Sequence, residues 1–203
     1  MALLSYLHAT VSYTSAFLFH LKIIKRMTFL ISKHRVLVIA LFMTASVCNL
    51  HAQQADMQAL IGQSLSKLQQ PTPEALLNCM AELKRIDAMF PDSIQPKYQM
   101  ALQSLNYSVM NPQAPQTENL LAEAEQAITT LEQMKNASQS DVCTLRGFLL
   151  MARIVQNPSQ NGQRYYLDVM QNYEKALKLN PDNQLARQLL QKFLEGMKQQ
   201  TGN

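Results

Sequence analysis

The sequence predicts an all-α protein: about three consecutive helix pairs, with a further helix capping the C-terminal end. Three observations point there. Apolar residues recur at intervals of three and four instead of in the alternation of half-buried strands. Helix start and stop signals divide the chain at regular distances. A set of apolar positions also returns every 45 residues. All three belong to residues 53–203.

The expected helices cover 56–69, 73–89, 95–109, 117–134, 140–156, 164–179 and 183–198. The second is announced by Thr72-Pro73-Glu74, which supplies an N-cap hydroxyl, a proline where no amide partner is lost, and an acid at the positive helix end. The third lies between Pro91 and Pro112. The fourth starts at Thr117-Glu118 and carries an apolar stripe of Leu120, Leu121, Ala124, Ile128, Leu131 and Met134. Ser140-Asp141 opens the fifth. The sixth shows the stripe Tyr166, Val169, Met170, Tyr173, Ala176 and Leu177. The seventh, with Lys192, Glu195 and Lys198 interspersed, is suited to cover the open end of a stack. Pro91, Pro112, Pro115, Pro158 and Pro181 fall in the expected connections, where a missing N–H costs little. In that reading Asn157–Arg164, with its Asn-Pro and Asn-Gly turn signals, is a loop.

The repeat is seen from Pro91, Asn136 and Pro181, spaced 45 apart. Two residues before each stand Met89, Met134 and Leu179; five before, Ile86, Leu131 and Ala176; eight before, Leu83, Ile128 and Tyr173; twelve before, Cys79, Ala124 and Val169. Every one is apolar or small, which marks one core-facing side of the second helix of each pair.

The segment Tyr173-Glu-Lys-Ala-Leu-Lys-Leu-Asn-Pro-Asp-Asn183 resembles the second helix and exit turn of a tetratricopeptide repeat. Tyr173, Ala176 and Pro181 stand at its aromatic, small and proline positions. Arg146-Gly147 and Met100-Ala101 resemble the small-residue position where the two helices of a unit approach closely. The match is good over 163–197, fair over 73–110 and poor around Asn136, where the proline is absent. The period also exceeds the family's 34. Residues 151–165 with the last unit further resemble exported helical-repeat proteins of Gram-negative bacteria. The resemblance covers most of 57–197. It implies a right-handed α-α superhelix, a solenoid whose stacked pairs build one core, and a scaffold that binds a protein or peptide partner. By register it points to Tyr98 and Leu102, to Thr144, Phe148 and Met151, and to Gln188 and Lys192 as a partner-binding groove. Tyr98, Leu102, Phe148 and Met151 would form an apolar strip; the competing reading makes them ordinary core.

Charge and composition exclude other functions. The first 52 residues hold five basic residues, no acid and all four histidines, so 53–203 carry 13 basic and 14 acidic residues with no histidine. That balance counts against binding the phosphates of nucleic acid. The commonest proton shuttle and metal ligand is missing as well. The five glycines are too scattered for a phosphate-wrapping loop. No cofactor or metal is expected. Cys79 and Cys143 sit on core-facing positions of different units, to be read as buried thiols or as a disulfide. Glu118, Glu123, Glu125 and Glu132 read as a solvated outer face, since their successive spacings of 5, 2 and 7 do not stack them. The loop carrying Arg164 beside Tyr165 and Tyr166 reads as a mere lengthening of a helix connection, the alternative being a binding edge for an acidic or aromatic partner group.

Residues 36–47 form an apolar run preceded by Lys33, His34 and Arg35. It is too short to cross a bilayer comfortably and fits a signal peptide over 27–52, cut between Ala52 and Gln53. Residues 1–26 read as an over-extension of the start site. The expectation is therefore a periplasmic or secreted, non-enzymatic scaffold. The alternatives are a membrane-anchored envelope assembly factor that retains its leader, and a small helical hydrolase using carboxylate and Cys residues.

Overall fold

A computed structural model describes residues 53–201. The proposed leader, Cys48 and the four histidines lie outside the described residues. The chain divides into Met1–Asp56 and a compact unit Met57–Asn203.

The described residues are all-helical, with no strand among them. Helix α1 covers 53–66, α2 Pro73–Met89, α3 Ile94–Met110, α4 Thr117–Gln133, α5 Gln139–Gln156, α6 Pro158–Leu179 and α7 Gln184–Thr201. The Thr72 hydroxyl caps α2 by accepting from the Ala75 amide, as its sequence predicts. Helix α5 is capped by Ser138, whose hydroxyl accepts from Asp141 N, and not by Ser140. Thr117 likewise does not cap: it is buried, and its hydroxyl donates to the Asn111 carbonyl, closing the α3–α4 connection.

The largest departure is at 157–163. The expected loop is helix, and α6 starts at Pro158 after the single residue Asn157. Asn157 accepts from the Gln160 amide and Pro158 takes the N1 position, so the Asn-Pro pair acts as a helix start. Helices α5 and α6 thus form a hairpin with almost no connection.

The 45-residue period is structural. Helices α3, α5 and α7 begin 45 residues apart, at Ile94, Gln139 and Gln184, each one residue after Ser93, Ser138 or Asn183. Packing joins neighbouring helices and the alternate pairs α3–α5 and α5–α7. Of the repeated positions, Cys79, Leu83, Ile86, Ala124, Ile128, Leu131, Val169, Tyr173 and Ala176 are all buried. Met89 and Leu179 are not: each ends its helix and is about half exposed, at 54% and 52%. One apolar cluster runs from Ala101 and Leu105 on α3 through α4, α5 and α6 to Leu189 and Phe193 on α7. A second joins Met57 and Ile61 of α1 to Cys79, Leu83 and Ile86 of α2.

Two details lock the last unit. An added Cβ on Gly147 would lie 2.8 Å from the fully buried Tyr173 ring, so the close approach of α5 and α6 needs glycine there. Asn183 caps α7 by accepting from Ala186 N, and its amide donates to Ser140 Oγ, Asp141 Oδ1 and Thr144 Oγ1 at 2.9, 3.0 and 3.2 Å. Ser140 in turn donates to the Ala176 carbonyl. The N-terminus of α7 is therefore tied to α5 and to the end of α6 by a satisfied buried network.

Candidate functional site

Helix α5 packs against α3, α4, α6 and α7, and this decides the fate of the groove positions. Thr144, Phe148 and Met151 are buried. Thr144 belongs to the Asn183 network, and the other two are part of the main core. This corrects the expectation of an open strip on α5: with helices on both sides, that face is covered. Tyr98 and Leu102 are half-buried against the same core. Burial, with the Asp141 charge as a lesser cause, pushes the Tyr98 hydroxyl up to about 12. Gln188 and Lys192 are exposed on α7. The structure thus does not bring the seven residues together as one open surface.

The opening lies elsewhere. A cleft of about 560 Å³ sits where α4, α5 and the start of α6 meet. Leu149 and Leu150 contribute its apolar lining, Glu118 and Glu125 come from α4, Arg153 from α5, and Gln160, Asn161, Arg164 and Tyr165 from the first turns of α6. The early start of α6 puts those last four in place. Asn161 Nδ2 donates to the Arg153 carbonyl at 2.7 Å and Gln113 Nε2 to the Gln156 carbonyl at 2.9 Å, satisfying backbone groups at the end of α5. The Arg164 guanidinium lies 4.9 Å from the Tyr165 ring centroid, so it stacks on its neighbour.

The rim is a charge ladder. Glu118, Glu125 and Glu132 are seven apart on α4, and Arg146 and Arg153 are seven apart on α5. Arg153 Nη1 meets both Glu118 oxygens at 2.7 Å, Arg146 Nη2 meets Glu132 at 2.7 Å, and Glu125 lies between them at 3.8 and 3.9 Å. Three of the four glutamates therefore do share a face, against the sequence expectation. The relevant intervals skip Glu123, which pairs with Lys84 of α2. Seven residues are close to two helical turns, so such side chains line up along one side.

Hydrogen bonds from Arg153 and then Gln156 hold the Glu118 carboxyl below the usual carboxylate range, which keeps it ionised where a general acid must hold its proton. Both Cys79 and Cys143 are free, buried thiols, not a disulfide. Burial raises both; for Cys79 the Ser64 hydroxyl, donating to its sulfur at 3.3 Å, opposes that in part. Among the described residues no group of three or more His, Cys, Asp or Glu is placed to hold a metal. No described helix is long and apolar enough to cross a membrane. The cleft can hold a polar ligand by hydrogen bonds and charge pairing.

Comparison of the chain with protein-family profiles, with curated proteins and with solved structures finds no match.

Proposed function

We propose that this chain is a non-catalytic helical-repeat scaffold, a right-handed tetratricopeptide-like superhelix, that binds a protein or peptide partner. The observation that carries the reading is the stacking order. Helices α3, α5 and α7 start at 45-residue intervals and pack in succession, while the pairs between them leave an open polar cleft. Repeat arrays of this kind present extended surfaces to partners. Binding over turnover is supported by Glu118, whose carboxylate Arg153 holds in the ionised form, unsuited to a general acid.

The test is a pull-down from envelope extract with the purified chain as bait, read by mass spectrometry. A partner retained by the wild type and by Lys178→Glu, and lost with Arg164→Glu or Lys192→Glu at unchanged helicity, supports the scaffold. Turnover of an ester or glycoside panel that disappears with Glu118→Gln would replace it with the hydrolase reading.

The same reading places the protein in the periplasm or outside the cell, with the leader removed between Ala52 and Gln53. N-terminal sequencing of the processed protein checks this. A retained leader would favour a membrane-anchored assembly factor instead.

A further inference from the structure

The charges lining the cleft are not equally satisfied. Glu118 accepts three side-chain hydrogen bonds, two from Arg153 and one from Gln156. Glu125 accepts none with its carboxylate among the described residues, and its two arginine neighbours stand at 3.8 and 3.9 Å, beyond hydrogen-bond reach. Across the cleft, Arg164 makes no ion pair among the described residues and only stacks on Tyr165. One carboxylate on α4 and one guanidinium on α6 thus line the same cavity with unused hydrogen-bonding capacity, and they do not pair with each other.

We infer that this cleft takes a short peptide segment carrying both a carboxylate and a cationic side chain, the carboxylate on Arg164 and the cation on Glu125. A lone anion fits poorly, because Glu118 and Glu125 repel it; a lone cation meets Arg153 and Arg164. Two acids and two arginines balance, so the complement is a ligand with both signs and no net charge. Gln113 and Asn161, whose amide nitrogens are engaged on α5 carbonyls, keep their amide oxygens to accept, Gln160, whose oxygen accepts from Asn157, keeps its amide N–H to donate, and the half-buried Leu150 supplies apolar contact. A volume of about 560 Å³ is of the size that holds a few residues. The inference rests on the scaffold reading and names the partner chemistry at one site.

The experiment uses the purified chain and four dye-labelled Gly-Ser peptides, bearing Asp with Lys, Asp alone, Lys alone, or neither, with binding read by fluorescence anisotropy. The expected result is that the Asp/Lys peptide binds about tenfold or more tighter than the other three, the scale of one charge-assisted hydrogen bond. Arg164→Glu and Glu125→Lys each abolish that preference, and Lys178→Glu keeps it, with all variants equally helical. Equal binding of the four peptides, no binding of any, or an unchanged preference in both cleft variants overturns the inference. A partner still captured from extract in those cases leaves the scaffold standing with its contact elsewhere; loss of capture as well removes both.

Discussion

Gly147 and Gly162 show how one residue type carries opposite consequences in the same hairpin. Beside Gly147 a Cβ meets the buried Tyr173 ring at 2.8 Å, and beside Gly162 nothing lies within 4 Å. Gly147→Ala is therefore expected to destabilise by about 1–3 kcal/mol, because neither the ring nor the helix backbone has room to yield. Gly162→Ala is expected to stabilise by about 0.5–1 kcal/mol, by removing chain entropy from the unfolded state and improving helix propensity. Urea denaturation of the two variants, with unchanged slopes, reads both effects. The thiols make a second prediction at this scale. Cys79 and Cys143 are buried and held protonated by desolvation, so iodoacetamide at neutral pH is expected to modify them at the rate of unfolding and not as exposed thiols. Mass spectrometry of native and urea-treated samples separates the cases.

At the scale of elements, the α4–α5 interface combines an apolar seam with a charged edge. The seam, Leu121, Ala124, Ile128 and Leu131 against Leu145, Leu149 and Ala152, is buried and supplies the stability. The edge contributes less: Glu118 is 62% exposed, so its pair with Arg153 is screened and amounts to under about 1 kcal/mol. Its sign is defined. The folded-state value of Glu118 is lowered, so its contribution is fully present above the ordinary carboxylate range and is lost as pH falls through the folded value. Arg153→Ala is expected to return the Glu118 carboxyl toward the ordinary range, measurable by NMR titration, with little change in melting temperature at neutral pH. A titration that stays low in the variant would show that Arg153 is not the cause. Helix α6 teaches a related lesson, since its first two turns exist because Asn157 and Pro158 nucleate a helix where turn statistics favour a loop.

For the whole molecule, the order of packing sets the order of opening. Helix α5 is held by helices on every side, whereas α7 packs through Ala186, Leu189 and Phe193 on α5 and α6 with no helix after it among the described residues. A stack whose units contact only their neighbours loses its ends first. Hydrogen exchange is therefore expected to show α7 amides exchanging well ahead of those in α5, and Asn183→Ala, which cuts α7 from Ser140, Asp141 and Thr144, to widen that gap. Exchange of α5 and α7 at one common rate would indicate a single cooperative bundle instead.

Helix content, the helix order and the 45-residue period were determined by the sequence alone. They depend on local spacing: the positions of Leu83, Ile128 and Tyr173 report burial because a helix repeats its faces regularly. The close approach at Gly147 was indicated only by the resemblance of Arg146-Gly147 to the small-residue position of a tetratricopeptide repeat, and the structure supplies its partner, Tyr173. Tertiary structure decided which surfaces remain open. Phe148 and Met151 have the composition of a groove and are core because α7 and α3 both lie against α5, a fact no window of sequence around them contains. The cleft was unreadable for a comparable reason. Its lining comes from α4, α5 and α6, and Glu125 and Arg164 share a cavity only once those three helices have packed, with α6 begun six residues earlier than its turn signals suggest. Burial follows local periodicity, whereas an opening is a property of what the neighbouring helices fail to cover.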